Sequence, residues 1–192
     1  MINKIRTRQD LIGRINHGDK VKYLFFWGHQ PSLDGSIGKS CFSQWYEASF
    51  ELNGIKYPTA EHYMMAEKAR LFKDDDVLAQ IIAAEHPGEA KKLGRLVKGF
   101  KQEVWFKHRF KIVVKGNAGK FEQNPELKEF LINTGKRILV EASPRDRIWG
   151  IGLGQNNPDA ANPYKWRGEN LLGFALMEAR NILIKNCYVT KY

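Results

Sequence analysis

The chain has almost no cysteine. Cys41 and Cys187 are the only two in 192 residues. Two cysteines cannot make a disulfide framework, so free thiols in a reducing, cytoplasmic compartment are expected. Histidine is sparse too: His17, His29, His62, His86 and His108 fall into no HxxxH or HExxH spacing. With no cysteine pair to help them, no metal site is expected, and no cofactor. A GxSxG elbow, a P-loop and a dinucleotide fingerprint are all missing, and Cys41 has no histidine paired with it in any motif. Serine or cysteine nucleophiles and nucleotide-cofactor chemistry therefore have no support. No segment approaches 18 apolar residues, so no transmembrane helix is expected. The basic residues of 1–20 precede no apolar stretch, so no secretory signal is expected. Internal repeats and low-complexity tracts are lacking as well.

What is present is ordinary globular material, 43% hydrophobic and 27% charged, with five tryptophans, seven tyrosines and eleven phenylalanines. That aromatic content argues against disorder, and the length suits one domain. Residues 1–20 read as an extension and residues 21–192 as the domain. The formal charge of +10 is concentrated. Residues 91–120 hold ten basic residues, from Lys91 and Arg95 to Lys120, against one acid, Glu103. A solvated helix face explains such a stretch. So does a site for phosphates or a nucleic-acid backbone.

The periodicity predicts a β-prone run at 21–27, a long loop over 28–44, and a hairpin in which Asn53-Gly54 joins 49–52 to 55–57. Helices follow over 60–72, from Asp74 onward, from Pro87 to about Val97, over 102–115, 118–123 and 125–133. Thr59 is the N-cap of the first, with His62 where a capping box would have Glu. A short strand at 138–141, a loop over 143–168 and a last helix over 170–185 complete the chain. The pattern is an α+β fold, mainly helical, with a small β element and a helical bundle.

Three features carry chemistry. The loop 143–168 is far longer than a usual connection, and it sets Trp149 beside Gly150, Gly152 and Gly154. A ring among glycines suits stacking on a planar base, although a buried tryptophan pinning a surface loop would look the same. Glu61 and Lys68, seven residues apart, share one helix face. That face continues through Met64, Met65 and Phe72, which suggests burial. Buried charges need partners or a purpose.

Several segments carry a resemblance. They are Tyr57-Pro-Thr-Ala-Glu-His-Tyr-Met-Met-Ala-Glu-Lys68, Lys92-Leu-Gly-Arg95, Trp105 and Lys120-Phe-Glu-Gln-Asn124. Leu139-Val-Glu-Ala-Ser-Pro-Arg-Asp146, Ile148-Trp-Gly-Ile-Gly-Leu153, Gly168-Glu-Asn-Leu-Leu-Gly173 and Leu176-Met-Glu-Ala-Arg180 follow. In this order, across roughly residues 23–184, they resemble the NADAR, or YbiA-like, family. The resemblance implies a YbiA-like fold and an N-glycosidase. It implies as substrate either a phosphorylated ribosylaminopyrimidine intermediate of riboflavin synthesis or ADP-ribose on guanine bases of nucleic acid. The family carboxylate maps to Glu61, and the aspartate before Trp-Gly to Asp146. Some members carry an acid after Trp-Gly, where this chain has Ile151.

Both substrates join ribose C1′ to an exocyclic amine. One route then uses Glu61 and Asp146 as acid, base or cation stabiliser around an oxocarbenium-like state. Another opens the ribosylamine to an imine, with Lys68 forming a Schiff base at C1′. Arg95 is the expected phosphate ligand, Trp105 and Trp149 the stacking rings, and Gly150 and Asn170 the loop and helix-start positions that approach the ligand. A non-catalytic module for ADP-ribose or nucleic acid is the competing class, and it requires Glu61 and Asp146 to lie away from the pocket.

Overall fold

A computed structural model describes residues 5–189. Its centre is a parallel pair of strands from opposite ends of the chain. β1 (Tyr23–Phe26) pairs with β4 (Ile138–Glu141) in the register Tyr23↔Ile138 to Phe26↔Glu141. Ile138, Leu139 and Val140 are all buried, so β4 is apolar on both faces, as a covered parallel strand must be. The second sheet is the hairpin of β2 (Phe50–Leu52) and β3 (Ile55–Tyr57). Asn53 and Gly54 both adopt positive φ, which fits the twist of a two-residue hairpin.

Seven helices surround these strands among the described residues: α1 (Arg8–Asn16), α2 (Ala60–Leu71), α3 (Asp75–Ala83), α4 (Pro87–Gly94), α5 (Gln102–Glu122), α6 (Pro125–Ile132) and α7 (Leu171–Val189). The fold is α+β and mainly helical. None of the described helices is long and apolar enough to cross a membrane. α7 covers both α5 and β4, and α2 is central, packed by α3, α4 and α5. Nearly every residue in the first two turns of α2 is buried, so that helix is enclosed on all sides. Thr59 caps α2 through the His62 backbone N–H. The His62 ring completes the cap, with Nδ1 2.8 Å from the Thr59 hydroxyl and Nε2 3.1 Å from the Ala84 carbonyl. His62 is thus a satisfied core histidine.

The structure differs from the sequence reading at several places. Residues 102–122 form one helix rather than two. Gly116 and Asn117, which argue for a break by propensity, are held by packing: a Cβ on Gly116 would lie 2.5 Å from the Tyr63 ring, and Asn117 donates to the Val113 carbonyl at 2.8 Å. α4 stops at Gly94, short of Val97, because the Gly94 carbonyl is taken by the Lys68 ammonium at 2.6 Å. The loop 28–44 contains a 3-10 turn over Lys39–Phe42. α7 begins at Leu171, not Asn170, and runs to Val189. Within residues 1–20, α1 has a full capping box between Thr7 and Asp10 and buries Leu11. Arg8 ties it to the carbonyls of Trp166 and Tyr164.

Candidate active site

Parallel strands leave a crevice beyond their carboxyl ends, where the chain turns away to both sides. Here β1 ends into Trp27, Gly28 and His29, and β4 ends at Glu141 and leads into Ser143, Arg145 and Asp146. All seven residues line one cavity of about 740 Å³. α2 supplies Glu61, Met64, Met65 and Lys68 to it, α4 and its C-cap supply Lys91, Gly94 and Arg95, α5 supplies Trp105, and the segment after the 3-10 turn supplies Gln44 and Trp45. Of the residues singled out from sequence, the structure brings together Glu61, Asp146, Lys68, Arg95, Trp105 and Trp149.

Glu61 is 3% exposed, and its Oε1 has no hydrogen-bond partner. Burial pushes its carboxyl up to about 7, with Lys91 and the Trp45 side chain pulling it down and the charge of Asp146 pushing it further up. The backbone is fixed: the Glu61 N–H donates to the Gln44 carbonyl at 2.9 Å. A second carboxyl, on the part-buried Glu141, faces the same space. Glu141 also has an orphan oxygen, Oε2, and burial, with Asp146 next, pushes it up to about 8. Each of the two raises the other or is raised by Asp146, so three carboxyl groups converge.

Asp146 organises its own loop. Its Oδ1 accepts from the backbone N–H groups of Ile148 (2.8 Å) and Trp149 (2.7 Å), and its own N–H donates to the Ser143 hydroxyl at 3.2 Å. This Asx turn is what sets Trp149 against the cavity. Lys68 donates to the Gly94 carbonyl and lies 4.3 Å from the Phe100 ring centroid. Burial lowers its pKa, and neighbouring Arg95 lowers it further.

Two residues do not sit where the sequence reading puts them. Asn170 is fully buried at φ 56°, and its side chain accepts from the Glu141 N–H (2.9 Å) and donates to the Leu139 carbonyl (2.9 Å). The backbone N–H groups of Asn170, Leu171 and Leu172 go to the carbonyls of Gly150, Ile148 and Trp149. These three amides at the start of α7 are therefore taken by the loop rather than open to a phosphate, and the Asn170 side chain anchors β4. Gly150 is a packing position. A Cβ there would meet the Glu141 carbonyl at 2.9 Å and the Asp146 carbonyl at 3.1 Å. Ile151, which follows Trp149-Gly150, is fully buried and donates its N–H to the Glu141 carbonyl.

Glu141, Trp45 and Trp27 are missed in the sequence, while Lys91 is found only as one of the basic residues of 91–120. For Glu141 there is a signal, a carboxylate closing an apolar strand, but its meaning depends on the parallel pairing with β1. Among the described residues, no group of three or more His, Cys, Asp or Glu side chains is arranged to hold a metal ion.

The NADAR domain model matches residues 25–184. The chain belongs to the NADAR family. Curated relatives include N-glycosidase R617 of Acanthamoeba polyphaga mimivirus, 44% identical over 164 residues, which cover 83% of this chain and 95% of the relative. N-glycosidase YbiA of Escherichia coli K12 is 31% identical over 142 residues, 74% of this chain and 80% of the relative. The NMR structure of E. coli YbiA aligns with a TM-score of 0.69 at 26% identity, over 88% of this chain and 89% of that one. This NADAR protein is an enzyme of the N-glycosidase class, a hydrolase of N-glycosyl bonds. Its cavity has the carboxyl groups such chemistry requires, and Glu61 and Asp146 both line it, which a purely binding role does not need.

Proposed function

We propose that this NADAR protein hydrolyses the bond between ribose C1′ and an exocyclic amine of a base-like group, in a phosphorylated ribosylaminopyrimidine. The observation that carries the reading is the pair of buried Glu61 and part-buried Glu141, each with a buried, unpartnered oxygen, facing a cavity lined by tryptophans and by Lys91 and Arg95. A volume of about 740 Å³ suits one mononucleotide-sized ligand. Arg95 and Lys91 take the phosphate, and Trp105 and Trp149 take the planar base.

The C1′–N bond breaks as the amine takes a proton from Glu61, whose pKa of about 7 matches such a transfer. The negative charge of Asp146 supports the oxocarbenium-like carbon. Water adds to C1′, and its proton returns to Glu61. Glu141, held near 8, keeps a proton at neutral pH and donates a hydrogen bond within the site. In the other route, the Lys68 amine attacks C1′ of the opened imine and expels the base amine, and water then hydrolyses the Schiff base. The lowered pKa of Lys68 favours that route, while its bond to Gly94 opposes it.

The second reading is removal of ADP-ribose from guanine in nucleic acid. It is favoured by the exposed lysines of α4 and α5, which are interleaved with exposed Phe100 and Phe106 near the cavity residue Trp105. One assay separates these readings. Purified protein is offered a ribosylaminopyrimidine phosphate and an ADP-ribosylated guanine oligonucleotide, with and without borohydride, and products are identified by mass spectrometry. The expected products are free aminopyrimidine and ribose phosphate, with no adduct on Lys68. Turnover of the oligonucleotide alone would replace the substrate, and a reduced Lys68 adduct would replace the mechanism.

A further inference from the structure

Lys120 is the most deeply buried cation among the described residues, at 0% exposure, on a helix whose other lysines face solvent. A lysine so placed is costly unless it is bound. Its ammonium donates to the Cys41 carbonyl at 2.8 Å and the Ser43 carbonyl at 2.9 Å. It also lies 5.4 Å from the Tyr46 ring centroid and 5.3 Å from that of Phe121. Burial brings its pKa down to about 8. One turn earlier on the same face, Asn117 accepts from the Gln44 amide at 3.1 Å. Two side chains of α5 thus hold residues 41–44 from one side. On the other side, the Gln44 carbonyl receives the Glu61 N–H, and the next residue, Trp45, bears on the Glu61 carboxyl.

We infer that Lys120, on the Cys41 and Ser43 carbonyls, and Asn117, on the Gln44 side-chain amide, are positioning residues that clamp the 41–44 segment, so that Gln44 and Trp45 fix Glu61 in its reactive place. The inference rests on the reading of Glu61 as the proton-transfer group. Neither Lys120 nor Asn117 lines the cavity, so neither touches substrate. A filler of equal volume would pack as well but would take the ammonium from the Cys41 carbonyl and leave the Ser43 carbonyl only the Tyr46 N–H, so the segment is freer to shift. Misplacement of a reacting group by about 1 Å is enough to lower a rate about a hundredfold.

The test uses the full chain as Lys120→Met and Asn117→Ala, with Leu11→Ala as a control. Leu11 is buried on α1 and lines no part of the cavity. Stability is followed by thermal unfolding, and kcat, KM and the pH–rate profile are measured with the substrate that the wild type turns over. Lys120→Met is expected to lower kcat about tenfold to a hundredfold with KM changed by less than about threefold. The profile midpoint belonging to Glu61 is expected to move to higher pH, since Trp45 no longer pulls it down. Asn117→Ala follows with a smaller loss, and Leu11→Ala loses stability alone. Unchanged kcat and midpoint in whichever of the two clamp variants is folded would overturn the inference. A fully active Glu61→Gln protein would instead remove the reading beneath it.

Discussion

A carboxyl inside a cavity is stable as the acid and costly as the anion, and Glu61 and Glu141 are two such groups in one site. Both titrate near 4.5 when exposed, and at about 7 and about 8 when folded. The folded chain therefore holds protons that the unfolded chain has released. Their contribution to stability is complete below about 4.5 and is lost as pH rises through 7 and 8. Glutamine keeps the shape and never ionises. Glu61→Gln and Glu141→Gln are expected to match the wild type near pH 4.5. At pH 9 each should exceed it by on the order of 1–3 kcal/mol, several degrees in Tm. Thermal unfolding at the two pH values checks this, and equal Tm at pH 9 would mean the carboxyls are not buried in the folded protein. Glu61 and Asp146 are legible in the sequence because their motifs carry them. Glu141 is not: its role comes from the tertiary pairing of β4 with β1. Asn170 misleads because a residue at a helix start looks like a cap, while its positive φ turns the side chain back onto β4.

The elements that position these groups meet at glycines. Gly173 on α7 abuts β4 so closely that a Cβ would lie 2.0 Å from the Leu139 carbonyl and 2.6 Å from the Asn170 amide. Gly173→Ala is expected to destabilise by about 2–4 kcal/mol and to lower activity, because it moves the strand that ends in Glu141. Gly13→Ala is the contrast. It lies within α1, and nothing stands within 4 Å of the added Cβ, so it should be neutral or stabilise by up to about 1 kcal/mol. Equal Tm for the two variants would contradict the packing described. Element types and most boundaries are readable from periodicity and caps, Thr59, Asp74 and Pro87 above all. The continuity of α5 and the early end of α4 are not, since each depends on a side chain from α2: Tyr63 against Gly116, and Lys68 on the Gly94 carbonyl.

At the scale of the molecule, the basic segment 91–120 divides three ways. Lys91 and Arg95 line the cavity, Lys120 enters the core, and Lys92, Lys98, Lys101, Lys107, Lys111 and Lys115 stay exposed, with Arg109 part-buried over the Phe106 ring. Composition sees only the total, which is why the sequence leaves both a phosphate site and a nucleic-acid surface open. With a small substrate held by two cations, kcat/KM should fall less than about tenfold between 50 and 200 mM salt. A strand spanning six or more phosphates would lose about a thousandfold or more.

The central claim is that Glu61 transfers the proton when the C1′–N bond breaks. Its most direct test is amine release from a ribosylaminopyrimidine phosphate, measured by mass spectrometry for the wild type and for folded Glu61→Gln. The variant is expected to lose about a hundredfold to ten-thousandfold in kcat with substrate binding retained. Wild-type turnover by a folded Glu61→Gln protein would contradict it.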